Sequence, residues 1–353
     1  MKNKTMKLFS KFLILSLIFN IIMFGVTVKA SAENMSYEIV LDKESGRVLY
    51  AKNENICVPM ASTTKVLTCI TIIENYDLKK QLTIKKEWVG IEGSSIYLKE
   101  GECFTVEELL YGLMLRSGND CAIALACGLS GSVENFALMM NDLAAKIGAK
   151  NSSFKNPHGL NDENHFTTAY DLALITCYAM KNEVFKNIVS TKKITIGQGD
   201  SKRVLYNKNK MLFNYEFSTG VKTGYTKKAG RCLVSSAKKG DWELVCVVLN
   251  CGLMYERSEE LLEKCYKDYD NVILVDSQKS VGEVITKNGE KLPAFVANDI
   301  CYPLTEDETK MIEIEILPYE SSQILPKFNQ ECGIIKIYLE KQLLFEEKIY
   351  TII

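Results

Sequence analysis

The chain has 353 residues, 47% of them apolar, and a formal net charge of -1. That length accommodates two domains, or one large one, around a substantial core. Near-neutral charge leaves no global field to gather nucleic acid or an anionic membrane, so no polyanionic partner is expected.

In chain order, residues 1–32 read as an export signal. Lys2, Lys4, Lys7 and Lys11 form a positive start, "FLILSLIFNIIMFGVTV" from Phe12 to Val28 is an apolar run, and Ala30-Ser31-Ala32 offers a small-residue cleavage site. The run is nearly long enough to stay as an uncleaved anchor, but the site follows it at once and favours cleavage. Either way the body of the chain is expected outside the cytoplasm, at the cell wall or membrane surface.

After the leader, "SYEIVLDKESGRVLYAKN" predicts two short strands about a turn at Glu44-Ser45-Gly46. Val66, Leu67, Ile70 and Ile73 recur at helical spacing, which places Ser62 where a helix begins after Pro59. An apolar helical region over 106–129 is interrupted at Ser117-Gly118-Asn119-Asp120, and further helices are predicted over 133–147 and 168–181. Beyond about residue 190 strands take over, in "KKITIG", "TGVKTGYT", "RCLVSSA" and "WELVCVVLN", followed by a helix over 256–267. A sheet built from both ends of this segment, with helices grouped between, predicts an α+β layered domain over 33–270. From Asn271, short alternating runs broken by Asn288-Gly289, Pro303, Pro318 and Pro326 predict a small all-β domain over 271–353.

Twelve cysteines in an exported chain would ordinarily point to disulfides. Here no C-x-x-C pair occurs, and Cys69, Cys121, Cys127, Cys177 and Cys246 sit in apolar runs where alanine or valine would serve. Mostly reduced, packed thiols are expected, as would suit an anaerobic habitat. The spacings also disfavour zinc. His158 and His165, with Asp162 and Glu163 between them, match no zinc pattern and read instead as a loop near the active site held by histidine hydrogen bonds.

The chemistry turns on Ser62 and Lys65. S-x-x-K is a weak pattern that recurs at Ser152, Ser190, Ser235 and Ser236, but only Ser62 opens a helix, where residues i and i+3 share a face. Taken alone, Ser62 would be an N-cap with a solvated lysine one turn on. With only two histidines in the chain, Lys65 is the candidate base. Its pKa must fall from about 10.4 to about 7, worth about 4 kcal/mol, through burial or a nearby cation. Lys222 could be that cation: Lys222-Thr223-Gly224 is the only K-[ST]-G in the chain, and Ser117-Gly118-Asn119 the only S-x-N. Their order is S-x-x-K, S-x-N, K-T-G.

These three motifs resemble those of penicillin-binding proteins. The surrounding text ("SGRVLYAKN", "MASTTKVLT", "GLMLRSGNDCAIALA", "NPHGLNDENHFTTAYDLA", "GVKTGYTKKAGRCLVSSA" and the β-rich tail) resembles in particular the low-molecular-mass serine D-alanyl-D-alanine carboxypeptidases. The resemblance departs at Cys121, where a small alanine-like residue is usual, and in the lack of a membrane-binding helix after the β domain. It implies a β-lactamase/transpeptidase-like fold followed by the β domain. It further implies that Ser62 attacks the terminal D-Ala–D-Ala bond of a peptidoglycan stem peptide, that Lys65 takes its proton, and that Ser117 relays a proton to the leaving amine. Asn119 would bind the peptide portion, Lys222 and Thr223 the terminal carboxylate, and Gly224 would allow close approach. Backbone N–H groups of Ser62 and Tyr225 would form the oxyanion hole. No metal or organic cofactor is implied, and β-lactam antibiotics would acylate the same serine. The alternatives are a serine β-lactamase, against which no E-x-x-L-N occurs between Asn119 and Lys222, and a non-catalytic penicillin-binding sensor or wall-binding protein.

Overall fold

The computed structural model describes residues 35–325 and 329–351, so the export signal expected over 1–32 and the strand break expected at Pro326 lie outside the described residues. The main elements begin with β1 (Tyr37–Asp42), β2 (Val48–Lys52), one 3-10 turn (Ala61–Thr64), α1 (Lys65–Asn75), β3 (Gln81–Thr83) and β4 (Cys103–Thr105). Helices then dominate: α2 (Val106–Leu115), α3 (Asn119–Ser130), α4 (Val133–Ile147), α5 (Ala169–Ala179) and α6 (Glu183–Ser190). Next come β5 (Lys193–Ile196), β6 (Arg203–Tyr206), a short α7 (Met211–Asn214), β7 (Ser218–Thr226), β8 (Gly230–Lys239), β9 (Trp242–Leu249) and α8 (Met254–Asp268).

The central sheet is antiparallel with order β2-β1-β9-β8-β7, so strands from the two ends of the segment meet at β1 and β9. Side chains alternate across a strand, and here both faces are covered. Ile39, Leu41, Val234, Val245 and Val247 pack with the helices α1 to α6, while Val40, Leu233, Leu244, Cys246 and Val248 pack with Leu261, Leu262 and Cys265 of α8. That two-sided burial explains why β1 and β9 read as nearly unbroken apolar runs. Helix α1 lies deep in the first layer, and its residues Lys65 to Ile72 are all buried. A helix apolar on every side belongs in a core, and Lys65 is the one titratable amine at its head.

Two features were hard to read from the sequence. Helix α6, N-capped by the Asn182 side chain, hides directly after α5. The antiparallel pairs β3–β4 and β5–β6 have strands of only three or four residues, too brief to show a period, and of these only β5 is expected from the sequence, within "KKITIG".

The chain ends in a small all-β domain, so the fold is α+β with an all-β appendage. Its strands are β10 (Asp270–Val275), β11 (Gly282–Ile285), β12 (Lys291–Val296), β13 (Ile300–Leu304), β14 (Ile312–Pro318), β15 (Gln330–Leu339) and β16 (Gln342–Thr351). Five form a sheet of order β11-β12-β16-β15-β14, while β10 pairs with β13. Arg47, just before β2, reaches across to this domain. Its guanidinium donates to the Pro303 carbonyl and pairs with Glu308, and it lies 5.3 Å and 4.9 Å from the ring centres of Tyr269 and Tyr302.

Candidate active site

Ser62 lies within the 3-10 turn and Lys65 is the first residue of α1. The sequence placed both on one α-helix; the tighter turn does more, because i and i+3 eclipse in 3-10 geometry. Lys65 Nζ stands 3.0 Å from Ser62 Oγ, 2.7 Å from Asn119 Oδ1 and 2.6 Å from the His158 carbonyl oxygen. It is fully buried, and burial first, then the charge of Lys222, holds its pKa well below the ordinary lysine value.

The turn is braced from below. Thr63 Oγ1 donates to the Met60 carbonyl at 2.6 Å, and Thr64 Oγ1 to the Ala61 carbonyl at 2.9 Å. Ala61 takes a positive φ of 50°, a strained setting for a residue with a Cβ. The loop carrying both histidines presses on this spot: a Cβ at Gly159, itself at φ 87°, would lie 1.9 Å from the Ala61 carbonyl oxygen, so only glycine fits. His165 Nδ1 accepts the Lys155 N–H at 2.9 Å, which leaves Nε2–H to donate to Thr64 Oγ1 at 2.8 Å. Burial first brings the His165 pKa down to about 4, against the raising effect of Asp162 and with a smaller lowering by Lys65; burial first, then Lys65, brings that of His158 down to about 3. The histidines thus act as neutral props beside the site, in line with the loop reading made from sequence.

Ser117 sits in the break between α2 and α3, which spans Arg116 to Gly118, and Asn119 is the first residue of α3. Ser117 has a φ of 61°, and its buried Oγ finds no hydrogen-bond partner among the described residues. Asn119, expected to meet the substrate, uses both ends of its amide inside the protein: Oδ1 accepts from Lys65, and Nδ2 donates to the Glu92 carbonyl at 2.6 Å. Next to it the buried Asp120 accepts from Ser95 Oγ and from the N–H groups of Ile96 and Leu98, which fastens segment 94–98 over the head of α3.

On the opposite wall runs β7, an edge strand of the sheet. Lys222 is buried, and its Nζ donates to the Thr223 carbonyl at 2.9 Å. Burial first, then the charge of Lys208, brings its pKa down to about 7. Gly224 abuts the 3-10 turn, and Tyr225 is 65% exposed at the rim.

A cleft of about 520 Å³ opens between these walls. Ser62, Ser117, Thr223, Gly224 and Tyr225 line it, while Lys65, Asn119 and Lys222 lie beneath its surface. Sequence reasoning missed Ser94, Lys208, Arg231, Met254 and Tyr255, which also line it. They belong to no motif and come from separate parts of the chain, so spacing could not have gathered them. The predicted cleft residues therefore do come together, but Lys222 stands behind Thr223 rather than facing the space a substrate would fill.

The family model described as D-alanyl-D-alanine carboxypeptidase matches residues 26–252. The chain is 32% identical to the D-alanyl-D-alanine carboxypeptidase DacF of Bacillus subtilis, over 92% of this chain and 87% of the relative. It is also 32% identical to the D-alanyl-D-alanine carboxypeptidase DacB2 of Mycobacterium tuberculosis, over 70% of this chain and 84% of the relative. Among solved structures, penicillin binding protein 5 of Haemophilus influenzae shares the fold at a TM-score of 0.74 and 24% identity, covering 92% of this chain and 98% of that one. The Streptomyces K15 DD-transpeptidase, in a variant with one serine replaced by alanine, superposes at a TM-score of 0.62 and 29% identity over 65% of this chain and 97% of that one. With its serine, lysine and K-T-G strand assembled on that fold, this chain belongs to the D-alanyl-D-alanine carboxypeptidase family of serine peptidases.

Proposed function

We propose that this protein is a serine D-Ala-D-Ala carboxypeptidase that removes the terminal D-Ala from peptidoglycan stem peptides and is acylated by penicillins at Ser62. The observation that carries the reading is the set of contacts around Lys65 Nζ. A neutral amine has two N–H groups and one lone pair. Asn119 Oδ1 and the His158 carbonyl take the two N–H groups, which leaves the lone pair for the Ser62 hydroxyl at 3.0 Å. Burial stabilises that neutral form, so the nucleophile and its base stand in contact before substrate arrives.

Ser62 Oγ then attacks the carbonyl carbon of the D-Ala–D-Ala bond as its proton passes to Lys65. The oxyanion is met by the backbone N–H groups of Ser62 and Tyr225, and Gly224 keeps the strand close enough for both to serve. Ser117, whose buried hydroxyl lacks a protein partner among the described residues, relays to the departing amine of D-Ala the proton that Lys65 has taken, giving up its own proton as it receives that one. An unsatisfied buried hydroxyl costs about 1–3 kcal/mol, and a substrate amide offsets that. Asn119 orients Lys65, Thr223 offers its hydroxyl to the terminal carboxylate, and Lys222 behind it keeps Lys65 unprotonated. Water hydrolyses the acyl-enzyme, and no step calls for a metal or organic cofactor.

The lysine-rich, apolar, small-residue leader supports export, so we place the mature chain outside the cytoplasm at the cell wall or the membrane surface, where peripheral attachment would bring it to its polymer. The function is tested by offering a peptide ending in Lys-D-Ala-D-Ala and measuring free D-Ala, with Ser62→Ala as control. Release by the wild type alone supports the reading; rapid penicillin turnover without D-Ala release overturns it.

A further inference from the structure

The charge of the chain is unevenly shared. Residues 33–270 carry thirty Lys and Arg against thirty Asp and Glu, whereas the β domain over 271–353 carries eight Lys, no Arg or His, and fourteen Asp and Glu, a net of -6. This acidic module also has an open side. In its five-stranded sheet β14 is a terminal strand, and β10 pairs with β13 alone. Among the described residues, each therefore keeps one row of backbone N–H and C=O groups with no strand beside it. A groove of about 340 Å³ is lined by Ile273 and Val275 of β10, by Ile314 and Ile316 of β14, and by Val281 and Ile335. Its charged lining residues, Asp276 and Lys279, pair with each other at 2.9 Å, so the groove itself is apolar and neutral. Ile273, Ile314 and Ile316 remain 56%, 46% and 37% exposed. Alternation along β14 turns Glu313 and Glu315, both exposed, to the other face, where Tyr338 Oη donates to Glu315 at 3.2 Å.

An edge of this kind accepts a further strand, and the alternation fixes what that strand must carry. Every second side chain would enter the groove and is apolar; those between would lie beside Glu313 and Glu315 and are basic. A second copy of β14 is disfavoured, because antiparallel self-pairing sets these glutamates against their own copies, and like charges placed opposite destabilise a sheet. The net charge of the domain likewise repels an anionic lipid surface. We propose that β14 is the docking edge for a partner protein, which adds an extended segment, up to the seven-residue length of β14, alternating aliphatic residues with Lys or Arg. None of the groove residues lines the catalytic cleft. The interaction goes beyond the peptidase reading and does not depend on it: the partner holds the β domain while the active site stays open to substrate.

The experiment uses the whole chain from residue 33 onward and three dye-labelled heptapeptides: Lys and Val alternating, the same composition with the valines in one block, and Glu and Val alternating. Affinity is read by fluorescence anisotropy at two salt concentrations, and β14 is followed by amide hydrogen exchange with and without peptide. The alternating basic peptide is expected to bind about tenfold or more tighter than either control, to weaken with salt, and to slow exchange in β14. Ile314→Thr, which keeps a β-branched residue in the strand, should weaken it about tenfold. Glu313→Lys combined with Glu315→Lys should do the same and turn the preference toward the Glu peptide. Melting temperature and penicillin acylation, recorded for each variant, should stay close to wild type. Equal affinity for the alternating and block peptides, or unchanged exchange in β14, overturns the proposal. So does concentration-dependent dimerisation abolished by Ile314→Thr, which assigns the edge to a second copy, or capture on anionic vesicles without peptide binding, which assigns it to lipid.

Discussion

Gly224 lies so near Ser62 that a methyl group added to its Cα would sit 3.1 Å from the Ser62 backbone nitrogen and 3.0 Å from the Met60 carbonyl oxygen. Strand β7 and the nucleophile's turn are thus in contact through backbone alone. Gly224→Ala forces them apart by a few tenths of an ångström at the point where the oxyanion donors converge. Losing one such donor costs about 100- to 1,000-fold, so a partial displacement is expected to slow penicillin acylation of Ser62 by about tenfold to a hundredfold. The melting temperature should fall only modestly. Unchanged acylation would show that the two backbone segments do not act together.

The pairing of two lysines makes a signed prediction about pH. Lys65 is held down by burial first and by the charge of Lys222 second, so both favour its base form and acylation declines as pH falls through its depressed pKa. Lys222→Met removes the like charge and raises the Lys65 pKa. The acid limb of the acylation profile should therefore move toward higher pH. An unmoved limb would mean that burial alone sets the base.

The histidine loop couples acid to stability. His158 and His165 have pKa values of about 3 and about 4 when folded, against an ordinary 6.5. The unfolded chain therefore binds protons that the folded chain refuses as pH falls from 6.5 toward 4. Stability is fully present above that window and is lost on acidification, at up to about 1.4 kcal/mol for each group per pH unit crossed. Urea midpoints should drop between pH 7 and pH 5, and less steeply in His165→Gln. Equal slopes would exclude His165 as a source.

Arg47 holds the all-β domain to the catalytic layer through Pro303, Glu308 and the Tyr302 ring, with Tyr269 at the end of α8 on its other side, and none of these residues lines the cleft. Arg47→Ala should lower the melting temperature and increase proteolytic nicking between the two parts. D-Ala release from a soluble peptide should persist, since the peptide meets none of these groups. Loss of peptidase activity at undiminished stability would instead tie the β domain to the chemistry.

Much of this was legible in the sequence because the chemistry is carried by short-range order. Ser62 and Lys65 are three residues apart, the S-x-N break announces itself by Ser117-Gly118 between apolar helices, and the apolar runs of β1, β8 and β9 follow from a sheet covered on both faces. What stayed hidden depends on tertiary contact. Nothing local shows that Asn119 turns its amide inward to Lys65 and Glu92, that the His158 carbonyl is the third partner of the base, or that Lys208 and Arg231 arrive at one cleft from distant segments. Helix α6 is hidden for a different reason: at eight residues, it is shorter than the window in which helical periodicity separates from noise.

The measurement that bears most directly on the account is the second-order rate constant for penicillin acylation of Ser62, followed by intact-protein mass spectrometry, in wild type and in Lys65→Ala of matched circular dichroism. Removal of the base should lower it by about 100- to 10,000-fold while leaving a folded protein. Acylation at close to the wild-type rate in that variant would show that some other group deprotonates Ser62.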